Sequence, residues 1–240
     1  MKTKLTEKEM LRIDNTVMMV PNCISSALEV GCGDGRVSNY IKEGIDLTGI
    51  DIDPVRIKDF PGKKFIGDIS ILPLKKESFD LVLACEVLEH LDDESLNHTI
   101  EEISRITSKY ILVTVPYKET LSAQWNKCSE CGNIYNAWGH LRAFDFNKLK
   151  NLFHRYELEE WRFLEPKEIY IPSKAYEIVK KVGNVWLSNK DYNSPCPKCG
   201  SEALESDGNI FGKIFIRLLW RFERYSPWKK PIWIGCLFKK

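Results

Sequence analysis

Apolar positions at Leu5, Met10, Ile13, Val17 and Val20 recur near helical spacing and stop at Pro21, predicting a helix over residues 5–20. Short apolar runs then alternate with helical stretches. Residues 27–30, 47–50, 65–66, 79–84 and 110–115 read as strands, with helices expected over 36–42 and 96–107. That alternation implies right-handed crossovers and an α/β, doubly wound, mostly parallel sheet. The rhythm breaks after Pro116. A helix near 145–153, a strand near 157–163, an irregular stretch over 166–208, a helix at 210–224 and a last strand at 231–238 follow. The expected organisation is one domain over 1–240 with a seven-stranded sheet, interrupted by excursions at 118–139 and 166–208.

Composition narrows the setting. The 240 residues are 43% hydrophobic and 29% charged, ordinary for a globular chain. The opening MKTKLTEKEM has neither an apolar core nor a small-residue cleavage site, and no apolar run reaches the roughly 18 residues of a membrane span. A cytoplasmic protein is the expectation. In a reducing compartment the eight cysteines do not read as a disulfide framework. Four of them form two Cys-x-x-Cys-Gly knuckles, Cys128 with Cys131 and Cys196 with Cys199, whose thiolates suit one closed tetrahedral Zn²⁺ site of structural type. The 64 residues between the pairs exceed ribbon spacing, so the metal would staple two distant excursions. Cys23, Cys32, Cys85 and Cys236 read as simple thiols.

The formal net charge of +1 conceals a basic C-terminus. Residues 209–240 hold eight Lys/Arg against Glu223 alone. Residues 209–226 are expected to form a basic amphipathic lid helix, with Phe211, Phe215, Leu218, Leu219 and Phe222 packed down and Lys213, Arg217, Arg221 and Arg224 solvated. An anionic substrate or a membrane surface is the sharper expectation for that basic side; RNA is a weaker one.

The segment ALEVGCGDGRVS puts Gly31, Gly33 and Gly35 between a strand and an expected helix, where bare backbone lets a ligand approach near a positive helix end. Its spacing departs from the dinucleotide fingerprint, and no Gly-Lys-Ser/Thr follows to make a phosphate loop. Asp51 closes the next strand 20 residues after Gly31, where a carboxylate accepts from both hydroxyls of a ribose.

Taken in order, EVGCGDG, GIDIDP, GDISILPLKKESFDLV, CEVLEHL and ILVTVP resemble the successive motifs of class I (Rossmann-like) S-adenosylmethionine-dependent methyltransferases of the type 11 group. The likeness covers residues 24–117 and resumes at GHLRAFDFNKLKNLF and IWIGCLFKK. The resemblance implies S-adenosylmethionine as cofactor and S-adenosylhomocysteine as product. It places the methionine end against Glu29 and the loop Gly31, Cys32, Gly33, Asp34 and Gly35, the ribose on Asp51, and adenine among Ile52, Asp68 and Ile69. Cys85 would offer its carbonyl, with Val87 nearby. His90 and His140 are the candidate bases for an oxygen acceptor, since imidazole titrates near neutrality. The expected acceptor is a small molecule or a lipid- or sugar-linked group. Two alternatives stay open. Glu86, Glu89 and His90 form an E-x-x-E-H pattern similar to that of small-RNA 3′-terminal 2′-O-methyltransferases, which bind a metal there; the other is a non-catalytic cofactor-binding scaffold.

Overall fold

The computed structural model describes residues 5–169, 171–186, 194–205, 208–225 and 229–240, with backbone alone at 165–166, 219–220 and 222–225. The described chain divides into two compact units, one of residues 1–117, 144–166 and 231–240, the other of 118–143 and 167–230. The two excursions and the C-terminal helix, read separately from the sequence, share the second unit.

The first unit opens with α1 (Glu7–Val17). Thr6 Oγ1 accepts from Glu9 N while Glu9 Oε2 accepts from Thr6 N, a reciprocal capping box that fixes where the helix starts. Its inner face buries Arg12, Ile13 and Thr16. The strands β1 (Ser26–Val30), β2 (Asp46–Asp51), β3 (Lys63–Ile66), β4 (Phe79–Cys85) and β5 (Thr107–Pro116) run parallel, in the order β3-β2-β1-β4-β5. Past β5 lie β9 (Lys229–Lys239), antiparallel to it, and then β8 (Glu157–Ile169), completing seven strands. This is the Rossmann-like sheet expected from the apolar runs.

Buried strands carry apolar side chains on both faces, so alternate residues feed two cores. Leu28, Val30, Val82, Ala84, Ile111 and Val113 pack with Leu96, Ile103 and Ile106 of α2 (Asp93–Ile106) and with Leu149 of α3 (Phe146–Lys150). Ala27, Leu81, Leu83, Leu112 and Leu237 pack on the opposite face with Ile13 of α1. Parallel strands reverse their winding between β1 and β4, which leaves a crevice at the carboxyl ends of those two strands.

The expected helix over 36–42 is not there. The segment makes only a 3₁₀ turn, Ser38–Tyr40. Ten residues separate Gly35 from Asp46, and Gly44, at φ 91°, must turn the chain within them. Ser38 and Asn39 spend their side chains on Glu29 and on the Asp34 and Gly35 carbonyls, which competes with helical pairing.

In the second unit, β6 (Trp125–Lys127) and β7 (Ile134–Asn136) pair as an antiparallel ribbon around the first Cys pair. α4 (Ser173–Lys181) stands within the stretch read as irregular; its nine residues bury only Val179 and Lys180, too few positions to set a legible period. α5 (Ile210–Tyr225) packs Ile216 against Val179 and Val185, and the backbones close to contact at Gly183 and Gly212. Phe211, Phe215 and Leu218, expected to be packed, are exposed; the side chains of Leu219, Phe222 and Arg224 lie outside the described residues. Among the described residues no helix is long and apolar enough to cross a membrane.

Candidate functional site

Three residues of the β1 turn adopt a backbone that favours glycine: Gly31 at φ 62°, Gly33 at 50° and Gly35 at 74°. A side chain on Gly31 would also overlap Val87. The turn is held from within. Cys32 N donates to Ile50 O at 3.1 Å, Gly35 N to Cys32 O at 2.9 Å, and Gly33 N to Asp51 Oδ2 at 2.7 Å. Since no α-helix follows, the positive helix end expected here is missing, and the turn presents backbone without a macrodipole behind it.

Asp51 is buried, its Oδ1 accepting from Asp53 N at 2.8 Å. Each oxygen of an ionised carboxylate offers about two acceptor positions, so one on each remains for a ribose hydroxyl. Glu29 accepts from Ser38 Oγ at 2.5 Å and is fully buried; burial pushes its carboxyl up to about 7, against the opposing pull of Ser38 and the Arg12 charge. A raised acid favours the fold fully below its unfolded value near 4.5 and loses that contribution as pH climbs through 7. Glu29→Gln should therefore flatten the decline in melting temperature between pH 5 and 7, read by thermal unfolding across that range.

Arg12 was not anticipated. It is 6% exposed, its Nε and Nη1 find no hydrogen-bond partner, and its guanidinium lies 5.4 Å from the Trp233 ring centroid and 3.9 Å from Glu86 Oε1. A buried cation whose one ion pair is this long, and whose Nε and Nη1 make no hydrogen bond, is costly unless a further anion meets it. The one sequence signal was its place one turn before Thr16, on the helix face that turns inward. Glu86 sits at φ 57° directly after β4, a strained conformation of the kind that clusters at functional sites.

The adenine candidates lie further along the same strand ends. Ile52 is exposed and Ile69 buried. Asp68 Oδ1 caps the turn at Ser70, accepting from its N at 2.8 Å and its Oγ at 2.7 Å, which holds the carboxyl below its usual range. Cys32 and Cys85 are buried thiols, pushed well up by desolvation and thus inert. His90 is exposed at the end of the 3₁₀ turn Leu88–His90, just past β4.

In the second unit, His140 Nδ1 lies 2.6 Å from Glu119 Oε2, both side chains nearly buried, with the Trp138 ring edge-on at 5.6 Å. Glu119 has no sequence signal; it stands 21 residues away. In the same unit the four knuckle cysteines converge. All four Sγ atoms lie within 4.8 Å of one another, with Cys128–Cys199 and Cys131–Cys196 at 3.6 Å. Four thiolates about 2.3 Å from one zinc stand about 3.8 Å apart, whereas a disulfide needs about 2.05 Å. The two knuckles are built alike. Gly132 N donates to Cys128 O and Gly200 N to Cys196 O; Cys128 N donates to Asn133 O and Cys196 N to Ser201 O. Both glycines take φ near 70°, at 70° and 73°.

A reversed-winding sheet with a bare turn at its switch point and an acidic strand end one strand away defines an α/β protein with a ligand crevice at its strand ends. Residues 28–110 match the family described as "Methyltransferase domain". The chain is 31% identical over 99 residues to phthiotriol/phenolphthiotriol dimycocerosates methyltransferase 1 of Mycobacterium ulcerans, covering 37% of this chain and 33% of that protein. It is 32% identical over 94 residues to norajmaline N-methyltransferase of Rauvolfia serpentina, covering 34% and 32%. The matches span 32% to 40% of the length of the curated relatives. A SAM-dependent methyltransferase from Archaeoglobus fulgidus superposes with a TM-score of 0.58 at 17% identity, over 97% of this chain and 94% of that one. The fold is thus that of class I S-adenosylmethionine-dependent methyltransferases, and residues 28–110 within it match a methyltransferase domain.

Proposed function

We propose that the chain transfers the methyl group of S-adenosylmethionine to an oxygen of a small-molecule or lipid- or sugar-linked acceptor. The observation that carries this is Asp51, buried at the end of β2 with acceptor positions left over beside the Gly31–Gly35 turn. Asp51 would take the ribose hydroxyls, and Ile52, Asp68 and Ile69 the adenine. Cys32, Asp34 and the Cys85 carbonyl line the methionine end, which Val87 backs. Glu29, pinned by Ser38, keeps the turn in shape. Arg12, with Nε and Nη1 short of hydrogen-bond acceptors, would pair with the α-carboxylate.

When bound, the sulfonium supplies an electrophilic methyl whose leaving group departs neutral. The protein then has to orient an acceptor in line and exclude water. His90 and His140 are the groups proposed to take the hydroxyl proton, Glu119 holding the His140 ring through Nδ1. Both relatives named above carry methyltransferase names, one for phthiotriol and phenolphthiotriol dimycocerosates and one, an N-methyltransferase, for norajmaline. Cys128, Cys131, Cys196 and Cys199 are proposed to hold a structural zinc ion.

Calorimetry with S-adenosylmethionine and S-adenosylhomocysteine should give saturable heat, and labelled methyl should appear in an extract metabolite. Arg12→Met should weaken both ligands about tenfold or more, as removal of a buried charge-assisted contact does. No heat with either ligand would end this reading.

A further inference from the structure

The face of α5 that looks away from its packing partners is apolar. Gly212 and Ile216 turn toward Gly183, Val179 and Val185. Phe211, Ile214, Phe215 and Leu218 recur at i, i+3, i+4 and i+7 on another side, Phe211 77% and Leu218 58% exposed. Lys213, Arg217 and Arg221 line one flank of that stripe, all exposed. Ile178 of α4 and Val182 at its C-cap, one turn apart, are also exposed. Large apolar side chains at four consecutive helical contacts are not scattered surface residues. A helix with one apolar arc, one basic flank and a tethered back is built to lie in an interface.

We propose that α5 lies flat on an anionic lipid surface, inserting Phe211, Ile214, Phe215 and Leu218 among the acyl chains while Lys213, Arg217 and Arg221 meet headgroup phosphates. Charge selects this occupant. The sequence of α5 holds one carboxylate, Glu223, so two copies meeting face to face would bring their basic flanks together. RNA would use the basic flank and stack on an aromatic ring, but gains nothing from burying Ile214 and Leu218. Three cations near the surface give a preference for anionic over neutral vesicles on the order of 10²-fold.

The test is co-sedimentation of the full chain with vesicles of phosphatidylcholine alone or mixed with phosphatidylglycerol. The chain should pellet with the mixed vesicles, stay in solution with the neutral ones, and be released by salt. The double variant Phe211→Ser, Leu218→Ser should lose pelleting with an unchanged melting temperature, because both side chains are already exposed; Lys213→Glu, Arg217→Glu should lose it too. Failure to pellet with mixed vesicles overturns the proposal, as does pelleting that survives the serine variant. A native dimer that the serine variant splits assigns the face to a second copy. RNA binding that only the charge variant abolishes, without pelleting, assigns it to nucleic acid; either result overturns the lipid surface. Vesicle binding needs no methyl transfer, so failure here leaves the proposed function standing.

Discussion

Cys196→Ser should abolish binding of the proposed zinc ion and loosen the unit that holds the four cysteines. Elemental analysis should fall from one zinc per chain to well below stoichiometric, and limited proteolysis should open that unit while the sheet unit survives. The size of the effect follows from how little else holds the module. Around the cysteines the buried cluster comprises Cys128, Tyr135 and Cys196, with Cys131 and Leu204 against it, so the sulfurs themselves are much of the core. Among the described residues the knuckle segments are otherwise tied by a few short contacts, Ser129 N to Ala203 O, Glu205 N to Lys127 O, the bridge Cys128–Leu204 and the Lys127–Glu205 ion pair. Structural zinc contributes about 10–16 kcal/mol of apparent binding energy in small modules, and a site that forms only on folding returns that energy as stability. Serine leaves three thiolates and a poor fourth donor. Full zinc occupancy in Cys196→Ser would show that the four sulfurs do not share an ion.

What could be read beforehand and what could not divide along sequence distance. The strands of the seven-stranded sheet were legible because most are apolar runs bounded by turn residues, and the knuckles because Cys-x-x-Cys-Gly is local chemistry. The Gly31–Gly35 turn was legible for the same reason, but the helix expected after it was not real: the pattern from Val37 to Ile41 looks helical, and only the ten-residue distance to β2 and the Ser38–Glu29 bond deny it. Arg12 and Glu86, 74 positions apart, become partners only through the α1-to-sheet packing. Glu119 and His140 meet across the β6–β7 ribbon, which no periodicity announces. For α5 the apolar stripe was visible and its direction was not. Which side packs was decided by Gly212, whose missing side chain lets Gly183 in; a glycine on a helix reads from sequence as a weakness, not as a contact.

Asp51→Ala should abolish measurable affinity for S-adenosylmethionine while leaving the sheet folded. In the proposed complex the carboxylate gives up one acceptor position per oxygen to a ribose hydroxyl, and hydrogen bonds to an ionised group are worth about 1.5–3 kcal/mol each. Two of them correspond to a loss of about 10²–10⁴ in affinity. The same substitution frees Gly33 N and Asp53 N, which now bond to Oδ2 and Oδ1, so the turn at φ 50° loses the anchor that holds it open to a ligand. Asp51→Asn separates the two effects. The amide oxygen can keep one accepting contact, but its NH₂ faces a backbone donor on the other side, so affinity should fall at least tenfold, less than for alanine. Calorimetry with the cofactor and with its demethylated product reads both variants, and circular dichroism confirms that the strands persist. Wild-type affinity in Asp51→Ala would mean that the ribose sits elsewhere and that the end of β2 is only a brace for the glycine turn.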